Sequence, residues 1–333
     1  MKLSIVILCW NDKKVIADCL KSIYATTVAT DFEVIVSDNG STDDTLDFIR
    51  TNYPEARIIA NGRNLRFAKG NNVGIRESRG EYILILNPDT IINPGTLDGM
   101  VKIADQHPEA SAFGCKVLNS DGSYQISGSP FTTIRGEWIA ALYLRPLGRL
   151  SNWFNSDVYA GWVGDTERPV DWLSGCFILA RADVLRRSGG FDAQFFYYYE
   201  DMDLCRRIWD AGHKILFVPD FSIIHLKGAS TNKRLPPINF ILDSQVTRYL
   251  YYAKYYGKRG LIRARRVALA STLLRWLGYA MLCGIKPTQN RKQQVESLRM
   301  LLRWTYHTDP IRLVETGEEP NFGAALAGRV LER

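Results

Sequence analysis

An α/β fold with a mostly parallel, doubly wound sheet and helices on both faces is what this sequence predicts, on three observations. Short apolar runs alternate with stretches of helical period through the first 110 residues. Each run closes on polar residues instead of fading into a loop. The chain has 333 residues, 46% hydrophobic and 23% charged, enough for one large domain or two modest ones with a sizeable core.

The elements follow in order. "LSIVILCW" reads as a strand followed by the helix-like "DKKVIADCLKSIYATT". "FEVIVSDN" is followed by "STDDTLDFIRTNY", "ARIIAN" by "FAKGNNVGIRESRG", and "EYILILN" by "PGTLDGMVKIADQHP". The strand-end residues are Asn11 and Asp12, Asp38 and Asn39, Asn61 to Asn64, and Asn87 and Asp89. In a parallel sheet these ends share one edge and converge on one crevice. Residues 110 to 180 are less regular. "SAFGCKVLNSDGSYQ" reads as a hairpin about Asp121-Gly122, and "VDWLSGCFILAR" as one buried strand opening on polar residues. "ADVLRRSGGFD" and "EDMDLCRRIWDAGHK" read as helices, the second led by acids and closed by Gly212. "ILFVPDFSIIHL" is a last strand ending in His225.

Six cysteines, at 9, 19, 115, 176, 205 and 283, show no C-x-x-C pair and no zinc spacing, so reduced thiols in a cytosolic compartment are expected. "MKLSIVILCWNDKK" reads as the first strand and not as a signal peptide, because a charged helical segment follows without a small-residue cleavage site. No G-x-G-x-x-G follows that strand, which argues against a dinucleotide oxidoreductase. A sugar-phosphate nucleotidyltransferase would want a Gly-rich, Arg-containing loop there, and "CWNDKK" does not offer one.

Asp89 poses the central question, since "YILILNPDTII" is apolar until it delivers a carboxylate. Asn-Pro-Asp is good turn chemistry. An acid at the carboxyl end of a buried strand is equally well placed to hold a metal or a sugar hydroxyl. The run of motifs "SIVILCWN", "VSDNGSTDDT", "NLRFAKGNNVGI", "LNPDT", "WLSGCFILAR", "YEDMDLCRRIWDAGHKI" and "IIHLKG" resembles glycosyltransferase family 2 over about residues 1 to 230, and its rhamnosyltransferase-like bacterial members in particular.

That resemblance implies a GT-A fold, with a donor-binding half over about 1–110, an acceptor half over about 111–230, and a helical, basic C-terminal extension over 231–333. It implies an inverting glycosyltransferase that uses a divalent cation, Mg²⁺ or Mn²⁺. The family D-x-D maps onto Asn87-Pro88-Asp89, so Asp89 becomes a metal ligand while Asn87 supplies only a neutral carbonyl in place of an acid. Asp38 resembles the acid that binds base or ribose; an N-cap for the following helix is the competing reading. Asn11 and Asn39 hold similar posts. Asn72 matches the family asparagine, Lys69 is placed to screen phosphate charge, and Arg66 stands where many relatives carry Gly. By the same alignment Asp201 is the general base, Glu200 orients acceptor or base, and Asp203 faces the helix start on the acceptor side. An acidic first helical turn explains acids there in general, though not the "FFYYY" before them. His225 fits a metal-binding position, with a satisfied structural histidine as the alternative. Asp171, Trp172, Ser174 and Gly175 resemble the acceptor side, Trp172 either stacking on a sugar or packing in the core.

The formal charge of +7 is unevenly spread: residues 250 to 304 hold twelve Lys/Arg and one Glu, leaving about −4 for the rest. Within that segment 267 to 285 is apolar except for Arg275. A helix lying on an anionic membrane surface is the first expectation, a solvated helical hairpin the second, and nucleic acid is not expected as a partner. The expected function is transfer of a sugar, with deoxythymidine-diphospho-rhamnose (dTDP-rhamnose) the first donor and a UDP-sugar the alternative, to a lipid-linked bacterial glycan at the cytoplasmic face of the plasma membrane. A degenerate glycan- or nucleotide-binding module is the non-enzyme alternative.

Overall fold

The apolar runs become buried strands because only a sheet covered on both faces can hide near-continuous Val, Ile and Leu. In the computed structural model, which describes residues 1–154, 156, 158–159, 161–196, 198–226 and 237–316, β1 (Leu3–Cys9), β2 (Phe32–Asp38), β3 (Arg57–Ala60) and β4 (Tyr82–Leu86) alternate with α1 (Lys13–Thr26), α2 (Thr45–Asn52) and α3 (Arg66–Glu77). Every residue of β4 is buried. Helix α3 presses directly on β1, since a Cβ at Gly70 or Gly74 would collide with Leu8 or Val6. The glycines of "KGNNVGI" are therefore packing residues, at some cost in helix propensity.

Next come β5 (Thr90–Ile92), α4 (Thr96–Gln106), β6 (Ala110–Leu118), β7 (Tyr124–Gln125), β8 (Gly128–Ser129), α5 (Ile134–Ala141), β9 (Arg168–Pro169), β10 (Trp172–Leu173), β11 (Phe177–Arg181), α6 (Ala182–Arg187), α7 (Glu200–Asp210) and β12 (Lys214–His225). The main sheet has the order β3-β2-β1-β4-β11-β6-β12-β5, with β7 added to β6 and β9 to β12. Strands β1 to β4 pair in parallel, as do β6 and β12. Strand β11 runs antiparallel between β4 and β6, and β5 is antiparallel on β12. The sheet is thus mixed and mostly parallel.

Two elements differ from the sequence expectation. "VDWLSGCFILAR" is two strands, because the chain turns at 174–176: β10 pairs with β8 in a small second sheet, while β11 enters the main one. Strand β5, three residues long, is too short to show a period, and its pairing Thr90↔His225 follows only from tertiary structure. The hairpin at Asp121-Gly122 forms, with Gly122 at φ +81° and Leu118 opposite Tyr124.

The chain divides into two compact units, one holding the sheets with α1–α4, α6 and α7, the other α5, two 3₁₀ turns and the C-terminal helices. Nothing in the sequence of 132–160 signals its grouping with the C-terminal helices. In that second unit α8 (Pro237–Ile285), broken at Gly257 (φ 62°), is followed by α9 (Gln289–His307) and α10 (Pro310–Thr316). Tyr249, Tyr251 and Tyr252 are fully buried, Tyr249 stacks on Trp304, and Arg248 Nε donates to Glu137 Oε1 at 2.7 Å. Thus α8 and α9 form a helical hairpin, and an 18-residue stretch within Ile241–Ile285 is long and apolar enough to cross a membrane by length and composition. Residues 231–236 and 317–333 of the expected extension, Lys227 and Gly228 of "IIHLKG", and Tyr197 of "FFYYY" lie outside the described residues.

Candidate active site

The polar strand ends line one edge of the sheet, and their side chains divide into two groups. At the end of β2, Asp38 is buried and accepts hydrogen bonds from the Gly40 N–H (3.1 Å), the Ser41 N–H (3.1 Å) and the Ser41 hydroxyl (2.5 Å). It shapes the 38–41 turn and does not cap α2, where Asp43 Oδ1 receives the Thr45 N–H at 3.0 Å. Asn11, at φ 57°, accepts from the N–H groups of Thr42 (2.7 Å) and Asp43 (3.2 Å). Asn39 donates to Asn64 Oδ1 and Arg66 O while accepting from Asn61 and the Leu65 N–H. The Asn72 amide is doubly bonded to the backbone of Phe191, at 2.7 and 2.8 Å. These asparagines hold loops in place, and Arg63, Arg66 and Lys69 are exposed basic groups nearby. Arg66 has φ 66°, a conformation that favours glycine, and its guanidinium lies 4.6 Å from the Phe196 ring centroid.

The second group sits at the ends of β4 and β12. Asp89 is 2% exposed, and its Oδ1 lies 3.2 Å from His225 Nε2. The β5–β12 pairing brings them together, reinforced by the Leu226 N–H donating to the Asp89 carbonyl at 2.9 Å. One carboxylate and one imidazole suit Mg²⁺ or Mn²⁺ where a diphosphate and water complete the shell, so these residues fit the cation that the fold family implies. Among the described residues no group of three or more His, Cys, Asp or Glu side chains converges. The Asn87 amide, 3.4 Å from His225 Nε2, is a neutral neighbour to that pair.

Gln125 is a residue that the sequence did not flag. Its Nε2 lies 3.1 Å from His225 Nδ1, and its Oε1 is buried with no hydrogen-bond partner among the described residues. With the amide in this orientation the imidazole proton sits on Nε2 and points at Asp89. Turning the amide over would place Oε1 against Nδ1, shift the proton there and release the Nε2 lone pair for a cation. The signal that could have found it is geometric only: β7 and β12 flank the end of β6 on its two edges, and the Gln125 side chain reaches across β6 to His225.

The carboxylates of α7 complete the site. Asp201 Oδ2 accepts the Gly175 N–H at 3.0 Å and Oδ1 the Met202 N–H at 2.8 Å. Burial raises its pKa against these two stabilising donors. Burial, followed by the charge of Asp201, pushes Glu200 well above the usual carboxylate range; Glu200 is 8% exposed and its Oε2 has no partner among the described residues. Both carboxyls are thus held above their usual range, and Asp201, with two N–H donors on it, is the better placed of the two to carry the pair's charge. Asp203, expected on the acceptor side, is instead 0% exposed and ion-paired with Arg207 at 2.8 Å, so it packs α7. Trp172 is half-buried with its Nε1 donating to the Pro130 carbonyl at 2.9 Å, and Asp171 accepts the Phe131 N–H at 2.8 Å.

The turn at 174–176 links the two carboxylate sites. The Asn87 N–H donates to the Cys176 carbonyl at 3.1 Å, and Gly175 next to it bonds Asp201. The Cys176 thiol is pushed up to about 12, mainly by burial, with the charges of both Asp89 and Asp201 adding to it. A Cβ at Gly175 would stand 3.2 Å from the Phe67 ring and 3.6 Å from the Asp201 Cβ, so this position closely abuts the acid.

A mostly parallel sheet with acids at its strand ends and a carboxylate pair on the facing helix defines a GT-A glycosyltransferase. The chain belongs to glycosyltransferase family 2, whose model, described as "Glycosyl transferase family 2", matches residues 4–160. It is 31% identical over 232 residues to an N-acetylglucosaminyl-diphospho-decaprenol L-rhamnosyltransferase of Mycobacterium tuberculosis, covering 66% of this chain and 74% of that protein. It is 28% identical over 220 residues to the rhamnosyltransferase WbbL of Escherichia coli, covering 62% of this chain and 78% of that protein. In fold it is similar to the mannosyltransferase PcManGT of Pyrobaculum calidifontis, solved with GDP-Man and Mn²⁺, at a TM-score of 0.54 and 16% identity over 96% of this chain and 88% of that one.

Proposed function

We propose that this enzyme transfers rhamnose from dTDP-rhamnose, with inversion at the anomeric carbon, to a hydroxyl of a lipid-linked bacterial glycan. The 174–176 turn is the observation that carries the reading, because it joins the raised-pKa Asp201 to the strand end of Asp89 and His225. Asp201 accepts the proton of the acceptor hydroxyl as that oxygen bonds to the anomeric carbon and the bond to the diphosphate breaks. Glu200, its carboxyl held above the usual range by burial and by the charge of Asp201, disfavours a second negative charge in the pair. Asp89 and His225 would hold Mg²⁺ or Mn²⁺, which supplies charge stabilisation for the leaving diphosphate. Arg66 and Lys69 add positive charge for the phosphates. The loop held by Asp38, Asn39 and Asn11 receives the nucleoside, and Trp172, Ser174 and Gly175 border the acceptor.

The Mycobacterium tuberculosis and Escherichia coli relatives, both rhamnosyltransferases by name, support rhamnose, and the decaprenol in the name of the first supports a lipid-linked acceptor. A UDP-sugar is the second donor, favoured by the Staphylococcus aureus TarS structure solved with UDP-GlcNAc, which this fold matches at a TM-score of 0.52 and 16% identity over 99% of this chain and 88% of that one. The basic segment 250–304 and the apolar stretch of α8 support work at the cytoplasmic face of a membrane. Calorimetric titration with thymidine and uridine diphosphates, with and without Mn²⁺, tests the donor site. Metal-dependent binding by wild type that is lost in Asp89→Ala is expected. Equal binding by both proteins would remove Asp89 from the metal site. Tight nucleotide binding without transfer would favour a non-catalytic module.

A further inference from the structure

We infer that the groove between α8 and α9 is a binding site for an anionic phospholipid, its phosphate on arginines and its acyl chains on the apolar floor. This deepens the membrane reading above and rests on it. The groove encloses about 890 Å³. Its basic residues are Arg266 from α8 with Arg299 and Arg303 from α9, and its apolar floor is Leu269, Leu273, Trp276 and Leu302. The α8 residues fall at i, i+3, i+7 and i+10 from Arg266, and the α9 residues at i, i+3 and i+4 from Arg299, so each set lies on one helix face.

The two faces are held in register by Arg265, which donates to the carbonyls of Thr305 (3.1 Å) and Tyr306 (2.6 Å). That clamp places Arg266 and Arg303 together at one end of the groove, with the leucines running toward the hairpin turn. A groove closed only by protein contacts would seal its apolar side. Here Leu273 of the floor is 42% exposed, and only 11% of the apolar 18-residue stretch within Ile241–Ile285 is buried. Charge complementarity selects the occupant: segment 250–304 has twelve basic residues against one acid, and that acid, Glu296, reaches Arg299 only at 4.0 Å. Guanidinium groups recognise phosphate through paired, directional hydrogen bonds that an ammonium does not reproduce. Diffuse attraction to an anionic surface depends on charge and not on that geometry.

The difference supplies the test. Full-length wild type and Arg266→Lys/Arg303→Lys, matched in circular dichroism, are compared for sedimentation with phosphatidylcholine vesicles with and without phosphatidylglycerol. Both are also titrated with monomeric dihexanoyl-phosphatidylglycerol in a calorimeter. The site predicts that wild type binds anionic vesicles and takes up the short-chain lipid with one-to-one stoichiometry, and that the charge-conserving variant loses affinity for both by about tenfold or more. Wild-type binding to anionic vesicles with an unchanged lysine variant would overturn the groove and leave the membrane reading standing. Failure of wild type to bind anionic vesicles would overturn both.

Discussion

Around Asp38 the side chains of Asn11, Asn39, Asn72 and the aspartate itself direct their hydrogen bonds into the chain, so that turns and loops are held by pairs or quartets of contacts. At the other end of the crevice Asp89 faces His225, Glu200 shares a buried site with Asp201, and Glu200 Oε2 and Gln125 Oε1 are buried without partners among the described residues. The first region resembles a mould fixed before ligand arrives. The second keeps unspent hydrogen-bonding capacity and raised carboxylate pKa values, the condition in which a proton or a cation changes the energetics most. Polar residues at neighbouring strand ends thus divide into scaffold and chemistry.

The sharpest way to break this contrast is Asp201→Asn, for which sugar transfer should fall by about 10²- to 10⁴-fold while nucleotide binding is retained. Next, Gln125→Leu should weaken Mn²⁺ affinity by roughly 10- to 100-fold in calorimetric titration with nucleotide present, with the fold intact, because His225 loses the partner that sets its tautomer. On the scaffold side, Asn72→Ala should lower unfolding stability by about 1–3 kcal/mol in urea titration, since it leaves the Phe191 backbone groups unpaired.

Glu200→Gln probes the pair through stability. A carboxyl raised in the folded state contributes stability that is present below its unfolded pKa and lost as pH rises through the folded pKa. Wild type should therefore lose stability over that upward window, and the variant should lose less of it in thermal melts across pH. The smallest effect is expected for Arg66→Gly: release of a left-handed backbone and loss of the Phe196 contact offset to within about 1 kcal/mol, leaving mainly weaker nucleotide affinity to detect.

Much of the fold was legible, because β1, β2 and β4 are buried on both faces and their apolar runs show it directly. The hairpin at Gly122 and the helix stop at Gly212, with φ +81° and +85°, were legible from local backbone chemistry. Strand β5 was not, since three residues carry no period, and without it nothing in the sequence brings Asp89 to His225. The break at 174–176 was overlooked because the apolar residues on both sides of it read as one run, although the Ser174-Gly175 pair is itself a turn signal. Asp203 looked like its neighbours in "EDMD", yet helix geometry turns it inward to Arg207 four residues on. Arg66, placed by the resemblance where relatives carry Gly, has φ 66°, a backbone conformation that the sequence reading did not foresee.

The proposed mechanism turns on Asp201 as the proton acceptor, its pKa raised by burial beside Glu200. Its most direct test is the pH dependence of kcat/KM for transfer from the sugar nucleotide selected by calorimetry, measured for wild type and for the residual activity of Asp201→Asn. Wild type should show an acid limb at a pH above the ordinary carboxylate range, and the variant should lose it. An acid limb that persists unchanged in Asp201→Asn would contradict the mechanism and assign the base to another group.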